Sequence, residues 1–421
     1  MTVRLHTLSN GVRVICDPMP GLETLALSVV AGRGARYEDK AHSGWSHLLE
    51  HMVFKGAGKR SAREIVEAIE QEGGQLNAAT GYERTSFQTR ALKGGLPLAM
   101  HVTADMLLRP TLDAEDLAKE KLVVAQEIAE AADTPDDLVF ELAQEKAFDG
   151  QSLGRPILGV VKSLKPAAPA SLEAWRAALY APDRLVVSAA GAVDEDDLLK
   201  LAQDAFGHLP AATGQADPGA AEFTGGVAAK GRKLEQAHLV LLLPAVGAQD
   251  EDYFVLRVFA EALGGGMSSR LFQEARENRG LAYTIDAYAD TYEDVGMLGV
   301  YAGCGAADAS ELAALTAQQI LDLAGNVGPT ELARAKAQLK ASMFMGREQP
   351  LSRAEQAAGQ TLLFGRLFPA AEIAEAIDAV SSADFVRLGG RLTQSRKSVV
   401  SVLGSKAALG APEAFERAVF G

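Results

Sequence analysis

The sequence predicts an α+β protein of two duplicated halves, each a mainly antiparallel sheet packed with helices. Three observations carry that expectation. Strand-like segments come in hairpin-like pairs with amphipathic helices between them, the pattern of an α+β fold rather than a doubly wound one. The stretch Ala211 to Lys233, rich in Ala and Gly, holds Pro218 and lacks apolar periodicity, so it reads as a linker. It divides the 421 residues into 1–210, a linker 211–233, and 234–421, two parts of ordinary domain size. The two parts also match each other in separate registers. Leu185-Val-Val-Ser-Ala-Ala-Gly191 recurs as Ser398-Val-Val-Ser-Val-Leu-Gly404, and Glu38-Asp39 recurs as Glu251-Asp252, both 213 residues on. Leu117-Ala-Lys-Glu-Lys121 matches Leu332-Ala-Arg-Ala-Lys336, and Pro135 matches Pro350, both at an offset of 215.

The elements follow in order. Val12 to Ile15 read as the first strand, after an Asn10-Gly11 turn. Leu25 to Ala31 read as the next strand. Ser61 to Glu72 reads as a helix, opened by the capping box Ser61-x-x-Glu64 and stopped by Gly73-Gly74. Gln75 to Thr80 and Thr85 to Ala91 read as a strand pair, Ala114 to Ala132 as a long helix, and Tyr253 to Gly264 as a helix of the second half.

Composition excludes several classes. With 48% hydrophobic and 23% charged residues the chain is an ordinary globular one, neither collagen-like nor disordered. Its 55 acidic against 41 basic residues leave a net charge of −14, which argues against a nucleic-acid partner and against an anionic membrane surface. Cys16 and Cys304 make neither a disulfide framework nor a cysteine zinc site, as expected in a reducing cytoplasm. The N-terminal MTVRLHTLSNGVRVICDP has no signal-peptide core, and no apolar run is long enough to span a bilayer. No GxGxxG follows a strand, and Gly264-Gly265-Gly266 lacks the Gly-Lys-Ser/Thr of a phosphate loop.

Chemistry concentrates at residues 47–51, His-Leu-Leu-Glu-His. Trp45, Leu48, Leu49, Met52 and Val53 follow the spacing of a buried helical stripe. His47, Glu50 and His51 lie opposite that stripe, and the two histidines are one turn apart. Neutral imidazoles at i and i+4 supply half of a tetrahedral zinc site. Chance places on the order of 0.01 such motifs in a chain with this histidine content. His42 lies before the helix and is not expected to be a ligand. A catalytic zinc needs a third protein ligand, and without a nearby cysteine a carboxylate is expected. Glu120 and Glu127, seven residues apart, share one face of the Ala114–Ala132 helix at the border of its apolar stripe. At offset 215 they fall opposite Ala335 and Ser342, and the Tyr253–Gly264 helix has no histidine, so the candidate ligands stand in one copy only.

These residues resemble the inverzincins, whose signature reverses HExxH, and more narrowly the pitrilysin family of metallopeptidases, in particular its mitochondrial processing peptidase-like branch. The likeness covers Leu8-Ser-Asn-Gly-Val12, His47-Leu-Leu-Glu-His51-Met-Val-Phe-Lys-Gly56 and Asn77-Ala-Ala-Thr80. It continues through Glu120 and Glu127 into Gly264-Gly-Gly-Met-Ser-Ser-Arg-Leu-Phe272 and Arg276-Glu-Asn-Arg-Gly-Leu-Ala-Tyr283. The 75 residues between His51 and Glu127 match the spacing to the family's third ligand. The resemblance implies one zinc ion per chain held by His47, His51 and Glu127, with Glu50 as general base. Glu120 would be a carboxylate supporting the site. Asn77 and Ala78 would lie on a strand that pairs with the substrate backbone, and Arg276 and Tyr283 would reach the substrate from the non-catalytic half. The implied activity is a zinc-dependent endopeptidase or oligopeptidase acting on unfolded peptides or presequence-like segments inside a closed chamber. Family members of twice this length close like a clamshell, so this chain resembles one half and is expected to dimerise. Because it carries both the zinc motif and the Arg/Tyr pair, a homodimer is favoured over a heterodimer with a related subunit. The competing reading is a non-catalytic structural or partner subunit, which would be expected to lack part of the metal motif.

Overall fold

A computed structural model describes residues 3–210 and 217–421. The first part of the expected linker, residues 211–216, lies outside the described residues. The strands are β1 (Arg4–Thr7), β2 (Arg13–Pro18), β3 (Thr24–Ala31), β4 (Gly56–Ala57), β5 (Arg60–Ser61), β6 (Gln75–Thr80), β7 (Thr85–Leu92), β8 (Leu185–Gly191), β9 (Gly226–Gly231), β10 (Ala237–Ala245), β11 (Ala282–Thr291), β12 (Gly296–Cys304) and β13 (Val399–Gly404). The helices are α1 (Trp45–Val53), α2 (Ala62–Glu70), α3 (Leu96–Leu108), α4 (Ala114–Asp133), α5 (Pro135–Ala147), α6 (Val161–Leu164), α7 (Pro169–Leu179), α8 (Glu195–Phe206), α9 (Tyr253–Gly264), α10 (Ala309–Gly325), α11 (Pro329–Gly346), α12 (Pro350–Phe364), α13 (Ala370–Ala379), α14 (Ser382–Gln394) and α15 (Ala411–Phe420). No helix among the described residues is long and apolar enough to cross a membrane.

The first sheet runs β1-β2-β8-β3-β7-β6 and the second β11-β12-β10-β13-β9. Apart from β1 the orders correspond strand for strand. Each has one parallel pair, β2 with β8 and β13 with β9, and every other pairing is antiparallel. Arg13 pairs with Val186 and Gly226 with Val399, so both members of the parallel pair recur 213 residues on. The α+β duplication is therefore written in the hydrogen-bond registers as well as in the sequence.

Local sequence explains the turns. Gly11, at φ 98°, closes the β1–β2 hairpin, its N–H donating to the Leu8 carbonyl at 2.9 Å. Val12 to Ile15 thus belong largely to the second strand. The short, half-exposed β1 carries little apolar signal and precedes them. Ser61 and Glu64 form the expected reciprocal capping box of α2.

The compact units do not follow the halves 1–210 and 234–421. One comprises residues 1–129, 155–218 and 345–368; the other comprises 130–154, 219–344 and 369–421. The chain order divides near Pro218, and in addition each half gives one segment to the other unit. The linker expectation is corrected too, because β9 occupies Gly226–Gly231 and pairs along β13. An edge strand of Gly, Ala and one Lys is held by backbone bonds on one side, and it shows no apolar alternation.

The exchanged segments carry α5 and α12, which begin at the matched residues Pro135 and Pro350. In the first unit, alternate residues of β3 point to opposite faces. Leu25, Leu27, Val29 and Ala31 join a core with α1, α3 and α7, whereas Val30 joins Ile15, Val186, Ala357 and Ala358 beneath α12. Arg353 of α12 holds the buried Asp17 of β2 through two contacts, at 2.6 and 2.5 Å. Glu355 accepts from Ser28 of β3. In the second unit α5 packs on β13, β10 and β9 through Leu138, Val139, Leu142, Ala143 and Ala147.

Candidate metal centre

Helix α1 presents the first two candidate ligands. Its N-cap, Gly44, is in the left-handed region at φ 87°, and a side chain there would collide with the Leu158 carbonyl and Gly159. The buried Glu38 carboxylate accepts the Gly44 and Ser46 N–H groups at 2.7 and 2.8 Å, satisfying donors that a helix N-terminus leaves unpaired. Trp45, Leu48, Leu49, Met52 and Val53 are buried as the stripe requires. His47, Glu50 and His51 are left on the opposite face, only partly buried.

The imidazole centroids of His47 and His51 are 4.6 Å apart. Helix α4 brings Glu127 to them. Candidate ligand atoms of His47, His51 and Glu127 all lie within 4.8 Å of one another, the one such group among the described residues. Two atoms of these residues, His47 Nδ1 and Glu127 Oε2, are buried without a hydrogen-bond partner. Orphaned polar atoms of this kind are costly unless something satisfies them. A borderline-soft divalent ion suits two imidazoles and one carboxylate, so the residues present fit zinc.

The surroundings orient these candidate ligands. His51 Nδ1 lies 3.0 Å from Glu120 Oε2, which leaves Nε2, 3.6 Å from Glu127 Oε2, free to bind an ion. Lys55 Nζ sits 2.6 Å from the other Glu120 oxygen and balances this buried carboxylate. Burial and the charge of His51 push His47 down to about 4, so its ring is neutral at pH 7. Burial raises the Glu50 carboxyl above the ordinary carboxylate range, and a hydrogen bond from Thr80 opposes that shift. Thr80 Oγ1 donates to Glu50 Oε2 at 2.6 Å.

The structure therefore brings His47, Glu50, His51, Glu120 and Glu127 together within the first unit. His42 is elsewhere, with Nδ1 2.8 Å from Asp39 Oδ1 and its ring stacked on Trp175. Asn77 and Ala78 lie on β6, the last strand of the first sheet, paired on one side by β7. Asn77 is exposed, whereas Ala78 packs against the core. Arg276 and Tyr283 belong to the second unit. Arg276 lies in a π-helical turn, Phe272–Asn278, over the Phe272 ring. Tyr283 stands at a bulge in β11, where the register slips between Ala282 and Thr284, and is 64% exposed. Sequence reasoning named Glu38 only as half of the repeated Glu38-Asp39 pair and gave no site role to Glu38, Lys55 or Thr80. Lys55 and Thr80 stand inside the quoted motifs, but their roles are contacts between elements.

Comparison with known proteins places the chain in a family. Residues 13–160 match the family described as insulinase, peptidase family M16, and residues 167–339 match the peptidase M16 inactive domain. The chain belongs to the M16 peptidase family. Among its M16 relatives, an uncharacterized zinc protease of Bacillus subtilis is 38% identical over 90% of this chain and 93% of its own. One from Streptomyces coelicolor is 37% identical, over 96% and 90%. A protease from Helicobacter pylori superposes with a TM-score of 0.86 at 20% identity, covering 96% of this chain and 99% of its own. The M16 inactive domain from Pseudomonas fluorescens reaches 0.89 at 19% identity, with the same coverage. These two likenesses speak for the fold. The family and the relatives' names together support a zinc protease. The model described as inactive falls largely on the half that lacks candidate ligands.

Proposed function

We propose that the chain is a zinc-dependent endopeptidase that cleaves unfolded peptides, with His47, His51 and Glu127 as zinc ligands and Glu50 as general base. The observation that carries this reading is the convergence of ligand atoms of these three residues, two of which also carry a buried polar atom without a hydrogen-bond partner. Zinc, when bound, supplies Lewis-acid activation of water and of a peptide carbonyl.

The chain's own residues do the rest. Glu120 accepts the Nδ1 proton of His51 and so fixes the tautomer that offers Nε2. Glu50, outside the ligand trio, takes a proton from the attacking water and passes it to the leaving amine. The open side of β6 accepts the substrate as an added strand, read by main-chain hydrogen bonds that require no single sequence. Arg276 and Tyr283, solvent-facing in the second unit, donate to substrate carbonyls. The chain works as a homodimer, because it carries both residue sets, and it does so in the cytoplasm, where its two buried, unpaired cysteines stay reduced. A non-catalytic subunit has no use for a complete ligand set and is the weaker reading.

The test joins metal content to activity. The purified protein is expected to contain one zinc per chain by elemental analysis and to cleave a quenched peptide library. EDTA should abolish cleavage and added zinc restore it. Glu127→Gln should purify with its zinc largely lost. A full metal complement in that variant removes Glu127 from the ligands, and EDTA-resistant cleavage overturns the zinc mechanism.

A further inference from the structure

The geometry points to Thr80 as the residue that positions Glu50, tying the general base to the strand that receives the substrate. This inference rests on the peptidase reading above. Glu50 is a flexible side chain on the outward face of α1, and a long carboxylate in that place has several rotamers. One side-chain hydrogen bond selects among them: Thr80 Oγ1 to Glu50 Oε2, at 2.6 Å. A hydroxyl donating to a carboxylate is among the stronger hydrogen bonds of a protein. It leaves Oε1 without a side-chain partner.

Thr80 is itself fixed. It is β-branched and stiff at χ1. It closes the β6–β7 ladder opposite Thr85, just before a turn in which the Gly81 N–H donates to the Arg84 carbonyl at 2.8 Å. Leu76 and Ala78 of the same strand pack against the core that includes the buried stripe of α1. Strand β6 therefore meets the helix in two ways, through apolar contact along its length and through Thr80 at its end, whose hydroxyl and backbone N–H both face the Glu50 carboxylate. An extended peptide aligned on β6 would have its backbone referred to the same residue that orients the base. Thr80 touches no reacting atom in this scheme, and its effect is felt through Glu50.

The experiment compares Thr80→Val and Thr80→Ser with the wild-type protein on one quenched peptide, with zinc content and thermal midpoint measured on each. Valine keeps the shape and β-propensity and removes the hydroxyl; serine keeps the hydroxyl. Thr80→Val is expected to lose on the order of 10²-fold in kcat, with KM, zinc content and thermal midpoint close to wild type. Thr80→Ser should recover most of the rate. Where valine does not fold, Thr80→Ala carries the same readouts. A wild-type kcat in the valine or alanine variant overturns the inference, and so does a loss confined to KM or to zinc, or an equal loss in the serine variant. A wild-type protein that cleaves nothing overturns the peptidase reading and this inference with it. An active wild type with an equally active valine variant overturns the role of Thr80 alone.

Discussion

A Glu50→Gln variant is expected to keep its zinc and lose on the order of 10³-fold or more in kcat, the range associated with a positioned acid–base group. The amide is isosteric with the carboxylate, and its oxygen still accepts from Thr80. Glu50 does not belong to the three residues whose ligand atoms converge, so the metal site should not notice the exchange. What disappears is the group that takes the proton. Elemental analysis and steady-state kinetics on one preparation decide the matter. Retained hydrolysis would move the base elsewhere, and lost zinc would place Glu50 among the ligands.

The second large effect concerns folding. A fragment of residues 1–216, cut where sequence alone would separate the halves, is expected not to reach a native state. It lacks α12, so Ile15, Val30 and Val186 lose their cover of Ala357 and Ala358. It also leaves the buried Asp17 without Arg353, and breaking a buried pair in this way costs about 3–5 kcal/mol. At the same time it carries α5, whose buried face belongs on the second sheet. Against a total stability of about 5–15 kcal/mol, these losses suffice. Near-ultraviolet circular dichroism and zinc content should both be absent from the fragment and return when residues 217–421 are co-expressed. A fragment that folds and binds zinc alone would show that the exchanged helix is dispensable.

What the sequence disclosed and what it withheld have physical reasons. The duplication was legible because the recurring motifs kept their spacing, and the same offset reappears in the pairing of β2 with β8 and β9 with β13. The face of α1 was legible because a helix has one period, so the apolar stripe fixes where His47, Glu50 and His51 point. Glu127 was one of two glutamates on a face beside the apolar stripe, and the resemblance's spacing from His51 chose between them, since a glutamate on a helix is ordinarily solvated. The destination of α5 and α12 was hidden, because amphipathicity says that a helix covers something and not which sheet. Strand β9 was hidden for want of side-chain pattern. Thr80 and Lys55 escaped because their partners are distant in sequence, and the bulge that exposes Tyr283 is a matter of register alone.

The exchange of α5 and α12 sets an order in time. During synthesis every strand of the first sheet has been made once Gly191 has emerged, yet the sheet's second face has no cover until α12 is complete at Phe364. For the length of chain between those points an apolar surface waits in the open while the ribosome works through most of the other half. At a pace of about 5–20 residues per second, that interval lasts on the order of ten seconds or more. A nascent chain in that state needs shelter from its neighbours, and the demand on chaperones follows from where one helix was placed.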